Sequence, residues 1–260
     1  MADAATLPIL LRQLRLPTMA ACCDDVTERA LAAGWSIPQA LAALCEYELA
    51  EREQRRLQRH TREARLPAGK TMATFDFSAV EHIQRQKLTS MACDGTWIEQ
   101  ARNLLLFGAS GLGKSHIAAA IGHALIERGL RVRYYPASAL VQELQTAKQE
   151  LRLAEALSKL DKYPLLVIDD IGYVKRSEAE TSVLFELIAH RYEAGSLLIT
   201  SNQPFSAWDS IFPDDMMAVA AIDRLVHHAD IVELTGESYR KRAHARINKP
   251  PRLTHKPFSP

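Results

Sequence analysis

Cysteine is scarce in this chain, and long apolar runs are missing. The four cysteines form no Cys-x-x-Cys pair, and the adjacent Cys22 and Cys23 could form only a strained disulfide. We therefore expect free thiols in a reducing compartment. No apolar run approaches the roughly 20 residues that span a membrane, and with Asp3 and Arg12 the N-terminal segment does not resemble a secretory signal. These absences predict a soluble, cytoplasmic protein with no membrane partner.

A strong charge of one sign is also lacking. Lys and Arg together number 32 and Asp and Glu 31, so the net charge of +1 indicates no particular partner. The length of 260 residues, 47% of them hydrophobic, allows one large core and a small accessory domain. A turn-rich break at 67–70 separates a predicted helical region from the rest. The predicted domains are a helical domain over 1–66 for DNA binding or oligomerisation, a linker over 67–77, an α/β domain over 78–245 and a basic flexible tail over 246–260.

Short apolar runs alternate with amphipathic stretches of helical length after residue 77. Runs of this kind are typical of strands buried on both faces, and their alternation with helices indicates a parallel sheet between helical layers. The fold class is therefore α/β, with a five-stranded parallel sheet. The predicted strands cover 103–107, 132–135, 165–168, 197–200 and 231–234.

A glycine-rich turn follows the first strand and precedes a predicted helix over 114–127. It matches the Walker A pattern Gly-x4-Gly-Lys-Ser, in which glycines let backbone N–H groups point at phosphates. Lys114 can reach the β and γ phosphates of ATP, and Ser115 can ligate Mg²⁺. A strand before and a helix after make a chance match a poor explanation. The predicted nucleotide-binding residues are Gly108, Ala109, Ser110, Gly111, Leu112, Gly113, Lys114, Ser115 and His116.

Two later strands end in polar residues suited to ATP hydrolysis. Asp169 and Asp170 have the Walker B form, in which Asp169 would hold Mg²⁺ and Asp170 would orient or deprotonate the attacking water. The alternative is a pair of acids that cap the next segment. Asn202, one strand later, could bind the γ-phosphate or the attacking water, although alone it would suit a turn.

Two arginines near the C-terminal end complete the candidate site. The planar guanidinium of Arg224 suits phosphate oxygens, and an arginine supplied by a neighbouring subunit can neutralise transition-state charge. A surface ion pair with Asp223 explains Arg224 equally well from spacing alone. Arg240 could contact the nucleotide of its own subunit. The predicted catalytic residues are Lys114, Asp169, Asp170, Asn202 and Arg224.

Together these motifs resemble one family, the IstB-type ATPases that assist transposition of IS21-type insertion sequences. That family belongs to the initiator branch of AAA+ proteins, with the bacterial helicase loaders. The resemblance covers nearly the whole chain, and the stretches outside Walker A and B narrow it to this family. Those stretches are residues 11–20, 70–72, 75–77, 166–172, 200–203 and 236–240.

The resemblance implies a regulator that binds ATP and Mg²⁺ and forms a homo-oligomer with ATP sites at subunit interfaces. It further implies assembly on double-stranded DNA and recruitment of an IstA-like transposase. It supports Asn202 as sensor 1, Arg224 as the arginine finger and Arg240 as sensor 2. Asp170 departs from the glutamate of most AAA+ proteins, but this branch shares the aspartate.

Basic residues cluster in the N-terminal helical region, at 52–65, and in the tail, at 240–256, and such clusters could contact DNA phosphates without reading sequence. The N-terminal cluster could instead be a solvated helix face, and the tail a disordered solubilising end. The segment 138–160 is a candidate through the resemblance alone. No zinc finger or helix-turn-helix signature supports sequence-specific readout. The predicted DNA-binding residues are Arg52, Arg55, Arg56, Arg59, Lys148, Arg152, Lys241 and Arg242.

Two other functions remain open from the sequence. A helicase loader acting on single-stranded DNA shares the ATPase motifs, although residues 11–20 favour the transposition helper. A small-molecule kinase also uses a P-loop, but it would need neither an arginine-rich helix nor the pair of Asn202 and Arg224.

Overall fold

The computed structural model describes residues 4–80, 85–172, 177–203, 215–236 and 238–239. The chain divides into two compact units, Met1–Arg62 and Glu63–Pro260. Residues 63–77, most of which the sequence assigned to a linker, thus belong to the second unit. The predicted sites Arg240, Lys241 and Arg242 and the predicted tail lie outside the described residues.

The first unit is helical. After a 3₁₀ turn at Ala4–Thr6, it contains α1 (Leu7–Gln13), α2 (Pro17–Ala33) and most of α3 (Ile37–Ala64). Helix α2 begins with a proline in its first turn and ends at Gly34, whose φ of +68° suits glycine. The buried core of this unit consists of Leu11, Met19, Ala20, Cys23, Val26 and Leu44.

A buried glutamate on α3 caps the N-terminal turn of α2. The Glu48 carboxylate accepts hydrogen bonds from the backbone N–H groups of Thr18 and Met19, at 2.8 and 3.1 Å, and from Arg52 Nε at 2.8 Å. The first turn of a helix lacks internal acceptors and favours negative charge. Burial acts to raise the pKa of Glu48, but the hydrogen bonds from Met19, Arg52 and Thr18 hold that pKa below its usual value.

We expect Glu48→Gln to destabilise the helical unit by about 1 kcal/mol at neutral pH, because hydrogen bonds to a charged acceptor are stronger than those to a neutral one. Because folding lowers this pKa, the stabilisation is present above the unfolded-state pKa and is lost as pH falls through the folded-state pKa. Hydrogen exchange of α2 in the full chain measures the loss. The matched control is Glu51→Gln, at an exposed position of the same helix. Equal exchange in the two variants at neutral pH would contradict the expectation.

The second unit contains a five-stranded parallel sheet, made of β1 (Asn103–Gly108), β2 (Val132–Pro136), β3 (Leu165–Asp169), β4 (Ser196–Ser201) and β5 (Ala229–Leu234). The strands lie in the order β2-β3-β4-β1-β5. The predicted fold class is therefore confirmed, and the strand bounds differ only slightly from the predicted ones. Strands β1, β3 and β4 are almost wholly buried, which explains why polar and apolar residues do not alternate along them.

Helices connect these strands and cover the sheet. Within the described residues, no helix is both long enough and apolar enough to cross a membrane. The helices of this unit are a 3₁₀ turn at Phe77–Ala79, α4 (Arg85–Cys93), α5 (Thr96–Glu99), α6 (Lys114–Glu127), α7 (Ala137–Gln149), α8 (Leu153–Leu160), α9 (Glu178–Arg191) and α10 (Asp215–Val226).

The two faces of the sheet pack against different helices. Alternate residues of a strand point to opposite faces, and Phe107, Ile168 and Ile199 point into a core shared with α7 to α10. Helix α6 contacts strands β1 to β4 and is itself in contact with α4. Because the strands are parallel, the polar residues that follow β1, β3 and β4 meet at one edge of the sheet, where α/β proteins bind ligands.

Candidate functional site

The loop between β1 and α6 borders a pocket of about 340 Å³, a volume typical of ligand sites. Gly111 and Gly113 have φ values of +87° and +89°, in the left-handed region that favours glycine. A Cβ atom on Gly113 would lie 2.6 Å from Phe75 Cε2, and one on Gly111 would overlap the Ser238 side chain. Conformation and close packing therefore both require glycine at these positions.

Lys114 is the buried cation of this loop. Its Nζ donates hydrogen bonds to the carbonyl oxygens of Gly108 and Ala109, at 2.7 and 3.0 Å, and the residue is only 7% exposed. The lysine is also the first residue of α6, whose first-turn N–H groups carry partial positive charge. The loop thus combines an ammonium group with a helix N-terminus, an arrangement suited to phosphates.

The pocket brings together most of the predicted site. Its lining includes residues 110–116 of the loop, together with Asp170 and Asn202 from the ends of β3 and β4. Gly108 and Ala109 contribute through the carbonyl groups that hold Lys114. The lining residues are Lys70, Thr74, Phe75, Asp76, Val80, Ser110, Gly111, Leu112, Gly113, Lys114, Ser115, His116, Asp170, Asn202 and Tyr239.

One wall of the pocket comes from the segment that precedes the sheet. The Phe75 ring meets the Phe77 ring edge-on, with centroids 4.8 Å apart, and lies 5.3 Å from the His116 ring. His116 Nε2 lies 3.0 Å from the Thr71 carbonyl oxygen and 3.1 Å from Thr74 Oγ1. His116 therefore links this segment to α6 by polar contacts. The aromatic rings form one wall of the pocket, beside the polar residues of the loop.

The paired acids at the end of β3 are held by hydroxyl groups on the neighbouring strands. Asp169 Oδ1 accepts a hydrogen bond from Thr200 Oγ1 at 2.5 Å, and Oδ2 accepts one from the Tyr134 hydroxyl at 2.6 Å. Burial, aided by the Asp169 carboxylate, raises the pKa of Tyr134 well above its ordinary value, so this hydroxyl remains a donor. Asp170 lines the pocket, and its backbone N–H donates to Thr200 Oγ1 at 2.8 Å.

Asn202 presents an amide to the same pocket. Its Oδ1 is buried and has no hydrogen-bond partner within the part of the chain that the structure describes. A Cβ atom on Gly172 would lie 2.8 Å from this oxygen, so the glycine after the paired acids leaves room for the amide. Because buried polar atoms are normally hydrogen-bonded, this oxygen suits a bound hydrogen-bond donor such as water.

The oxygen donors at the site fit Mg²⁺. Hydroxyl and carboxylate oxygens are ligands that this ion prefers, and it commonly keeps several waters beside phosphate oxygens. Ser115 lines the pocket, and Asp169 ends β3, where hydrogen bonds hold both of its carboxylate oxygens. These two residues are the ones that would hold the ion, as the sequence predicts.

Arg224 lies on α10 and is not among the residues that line the pocket. Its Nη1 donates to the Ala220 carbonyl oxygen at 3.0 Å, and its guanidinium carbon lies 5.3 Å from the centre of the Phe185 ring. The structure therefore does not bring this arginine to the nucleotide pocket of its own chain.

Most of the predicted DNA-binding side chains in the described residues pair with acids. Each pair offsets the positive charge that the sequence spacing alone suggests, and the pairs whose acid is also exposed contribute little stability. DNA binding by these residues stays a prediction. The pairs are Arg52 with Glu48, Arg55 with Glu48 and Glu51, Arg56 with Glu53, Lys148 with Glu186, and Arg152 with Glu150.

Several residues of the site were missed by the sequence interpretation. Thr200 carried a signal, because a hydroxyl in a fully buried apolar strand needs a partner. Tyr134 and Gly172 carried no local signal, since their roles depend on the neighbouring strands. Tyr239 follows β5, and its backbone N–H donates to the Gly111 carbonyl oxygen at 3.0 Å.

A family model described as IstB-like ATP binding protein matches residues 9–247. The chain belongs to this family. A Sinorhizobium fredii protein named as an insertion sequence ATP-binding protein is 51% identical over 241 residues, 93% of this chain and 81% of that protein. The IS21 ATP-binding protein of Pseudomonas aeruginosa is 34% identical over 90% of this chain and 88% of its own length. The resemblance inferred from the sequence is thus confirmed.

Two solved structures illustrate what the fold is similar to. The DnaC helicase loader has a TM-score of 0.51 at 18% identity, covering 65% of this chain and 98% of that one. DnaA from Aquifex aeolicus, with AMPPCP bound, has a TM-score of 0.53 at 19% identity, covering 70% of this chain and 56% of that one. At such low identity these likenesses show the fold alone, and they agree with the predicted α/β fold class.

Proposed function

We propose that this family member is an ATPase whose ATP-bound form assembles on double-stranded DNA and recruits an IstA-like transposase. The observation that carries the proposal is the convergence of Lys114, Asp170 and Asn202 on one pocket, beside the fixed carboxylate of Asp169. The names of the relatives refer to insertion sequences and to ATP binding. Duplex DNA as the partner rests on the resemblance of this chain to the transposition helpers of such elements.

The chemistry follows from the arrangement of these side chains. Lys114 and the first-turn N–H groups of α6 bind the β and γ phosphates. Ser115 and Asp169 hold Mg²⁺, which neutralises charge on the phosphate oxygens when bound. Asp170 orients the attacking water or accepts its proton, and the Asn202 amide either donates through its N–H to the γ-phosphate or binds the attacking water.

The position of Arg224 supports a site shared between subunits. Phosphoryl transfer in related enzymes gains from an arginine that contacts the γ-phosphate, and Arg224 does not line the pocket of its own chain. In the proposed oligomer, this arginine reaches the ATP bound to the next subunit. ATP therefore closes the subunit interface, and hydrolysis opens it.

A helicase loader that acts on single-stranded DNA is the second candidate, because the fold is similar to that of the DnaC helicase loader. Fluorescence anisotropy with a duplex and with one of its strands, each in ATP and in ADP, separates the two functions. We expect the duplex to bind more tightly than the single strand, and ATP to strengthen binding relative to ADP. A strong preference for the single strand would favour the loader. A monomer with turnover unaffected by DNA would instead favour a small-molecule kinase.

A further inference from the structure

Two hydroxyl groups outside the predicted site converge on Asp169 from opposite sides. Thr200 on β4 donates to one carboxylate oxygen and Tyr134 on β2 to the other, at 2.5 and 2.6 Å. Strand β3 lies between β2 and β4 in the sheet. The Asp169 carboxylate is thus hydrogen-bonded by side chains from both strands that neighbour β3.

The sheet register explains how these side chains meet. Val167 is paired with Tyr134 on one side and with Leu198 on the other. Because side chains alternate between faces, Asp169 and Thr200, each two residues further along, lie on the same face as Tyr134. Thr200 is fully buried and Asp169 is only 9% exposed, so water competes little for these hydrogen bonds.

Thr200 has a second partner that Tyr134 lacks. Its Oγ1 accepts the Asp170 backbone N–H at 2.8 Å while donating to Asp169, and its carbonyl oxygen accepts the Ile171 N–H at 3.0 Å. Asp170 has a φ of +67°, which non-glycine residues adopt only when their surroundings hold them there. Thr200 therefore fixes both the carboxylate of Asp169 and the backbone that directs Asp170 toward the pocket.

We propose that Tyr134 and Thr200 are positioning residues: both hold the Asp169 carboxylate in the orientation that binds Mg²⁺, and Thr200 also places Asp170 for its action on water. The part that concerns Asp169 requires only that ATP binds with Mg²⁺. The part that concerns Asp170 rests on the proposed ATP hydrolysis. The two residues therefore differ in what their replacement should change.

The test measures nucleotide binding with a fluorescent ATP analogue, with Mg²⁺ titrated in and with EDTA present. In EDTA, Tyr134→Phe, Thr200→Val and Thr200→Ser should bind nucleotide like the wild type. The Mg²⁺ concentration that enhances binding should rise about 10- to 100-fold for Tyr134→Phe and Thr200→Val, as when partners of metal ligands are removed elsewhere. Thr200→Ser keeps the hydroxyl and should remain close to the wild type.

Hydrolysis at saturating Mg²⁺ separates the two roles. Tyr134→Phe should recover the wild-type kcat, whereas Thr200→Val should keep a lowered kcat because Asp170 is no longer fixed. The matched controls are Tyr192→Phe and Thr146→Val, whose hydroxyls bond to His227 and to the Gln142 carbonyl oxygen outside the pocket. Both controls should match the wild type in nucleotide binding, in the Mg²⁺ requirement and in kcat.

An unchanged Mg²⁺ requirement in Tyr134→Phe and Thr200→Val would overturn the proposal, as would a Thr200→Ser variant as impaired as Thr200→Val. If Thr200→Val fails to fold, Tyr134→Phe and Thr200→Ser still decide the Mg²⁺ part. A wild type that binds ATP with Mg²⁺ but does not hydrolyse it would refute the proposed ATPase. In that case the Mg²⁺ titrations of nucleotide binding would still test whether Tyr134 and Thr200 position Asp169.

Discussion

Replacing Lys114 with alanine is expected to abolish detectable ATP hydrolysis and to weaken nucleotide binding. The ammonium group is the buried cation of the phosphate loop, held by the carbonyl oxygens of Gly108 and Ala109. Loss of one preorganised charge-stabilising group commonly lowers kcat by about 10²- to 10³-fold. Steady-state phosphate release, with a binding titration of a fluorescent ATP analogue, measures both effects.

The control for this variant is Lys87→Ala. Lys87 lies on α4 and pairs with Asp230 at 2.7 Å, outside the pocket lining. Loss of a partly exposed ion pair outside the pocket costs about 1 kcal/mol of stability at most, so turnover should be unchanged. Hydrolysis by Lys114→Ala at the rate of the control would mean that the phosphates bind elsewhere.

Arg224→Ala should lower hydrolysis about 10³-fold while nucleotide binding remains close to that of the wild type. The arginine does not line its own pocket, and an arginine supplied by a neighbour acts on the transition state more than on the bound substrate. Mixing Arg224→Ala with Lys114→Ala supplies interfaces that combine an intact phosphate loop with an intact arginine. Such mixtures should hydrolyse ATP faster than either variant alone.

Arg102→Ala provides the comparison for the arginine prediction. Arg102 pairs with Asp230 at 2.9 Å, again outside the pocket lining, and its loss should leave turnover intact. Normal hydrolysis by Arg224→Ala would rule out the finger. A loss of activity that mixing fails to rescue would indicate that Arg224 acts only through the packing of α10 against Phe185.

The sheet was predictable because parallel strands covered on both faces must be apolar throughout. The runs at 103–107 and 165–168 carry that signal without any knowledge of their neighbours. The phosphate loop was predictable for a related reason, since its function constrains consecutive residues. The backbone is in the left-handed region at Gly111 and Gly113, which favours glycine there, and a helix follows at once. The glycine spacing and the helical pattern are both visible in the linear sequence.

Contacts between segments distant in the chain could not be predicted in the same way. The approach of Phe75 to Gly113 and the hydrogen bond from Tyr134 to Asp169 depend on how the elements pack. The arginines of α3 show the same limit. Their spacing suggests a basic stripe. In the structure, Arg52 donates a hydrogen bond to Glu48 and Arg55 forms an ion pair with it, and Glu48 is the acid that caps α2.

The most direct test of the central claim, that ATP controls assembly on DNA, is the mass of the complexes formed on duplex DNA. Mass photometry of the full chain with ATP and Mg²⁺, with ADP and with no nucleotide supplies that measurement. With ATP we predict multi-subunit complexes on the duplex, which persist in Asp170→Asn because hydrolysis is slowed and which disappear with ADP. The same distribution of masses in all three nucleotide conditions would contradict the account.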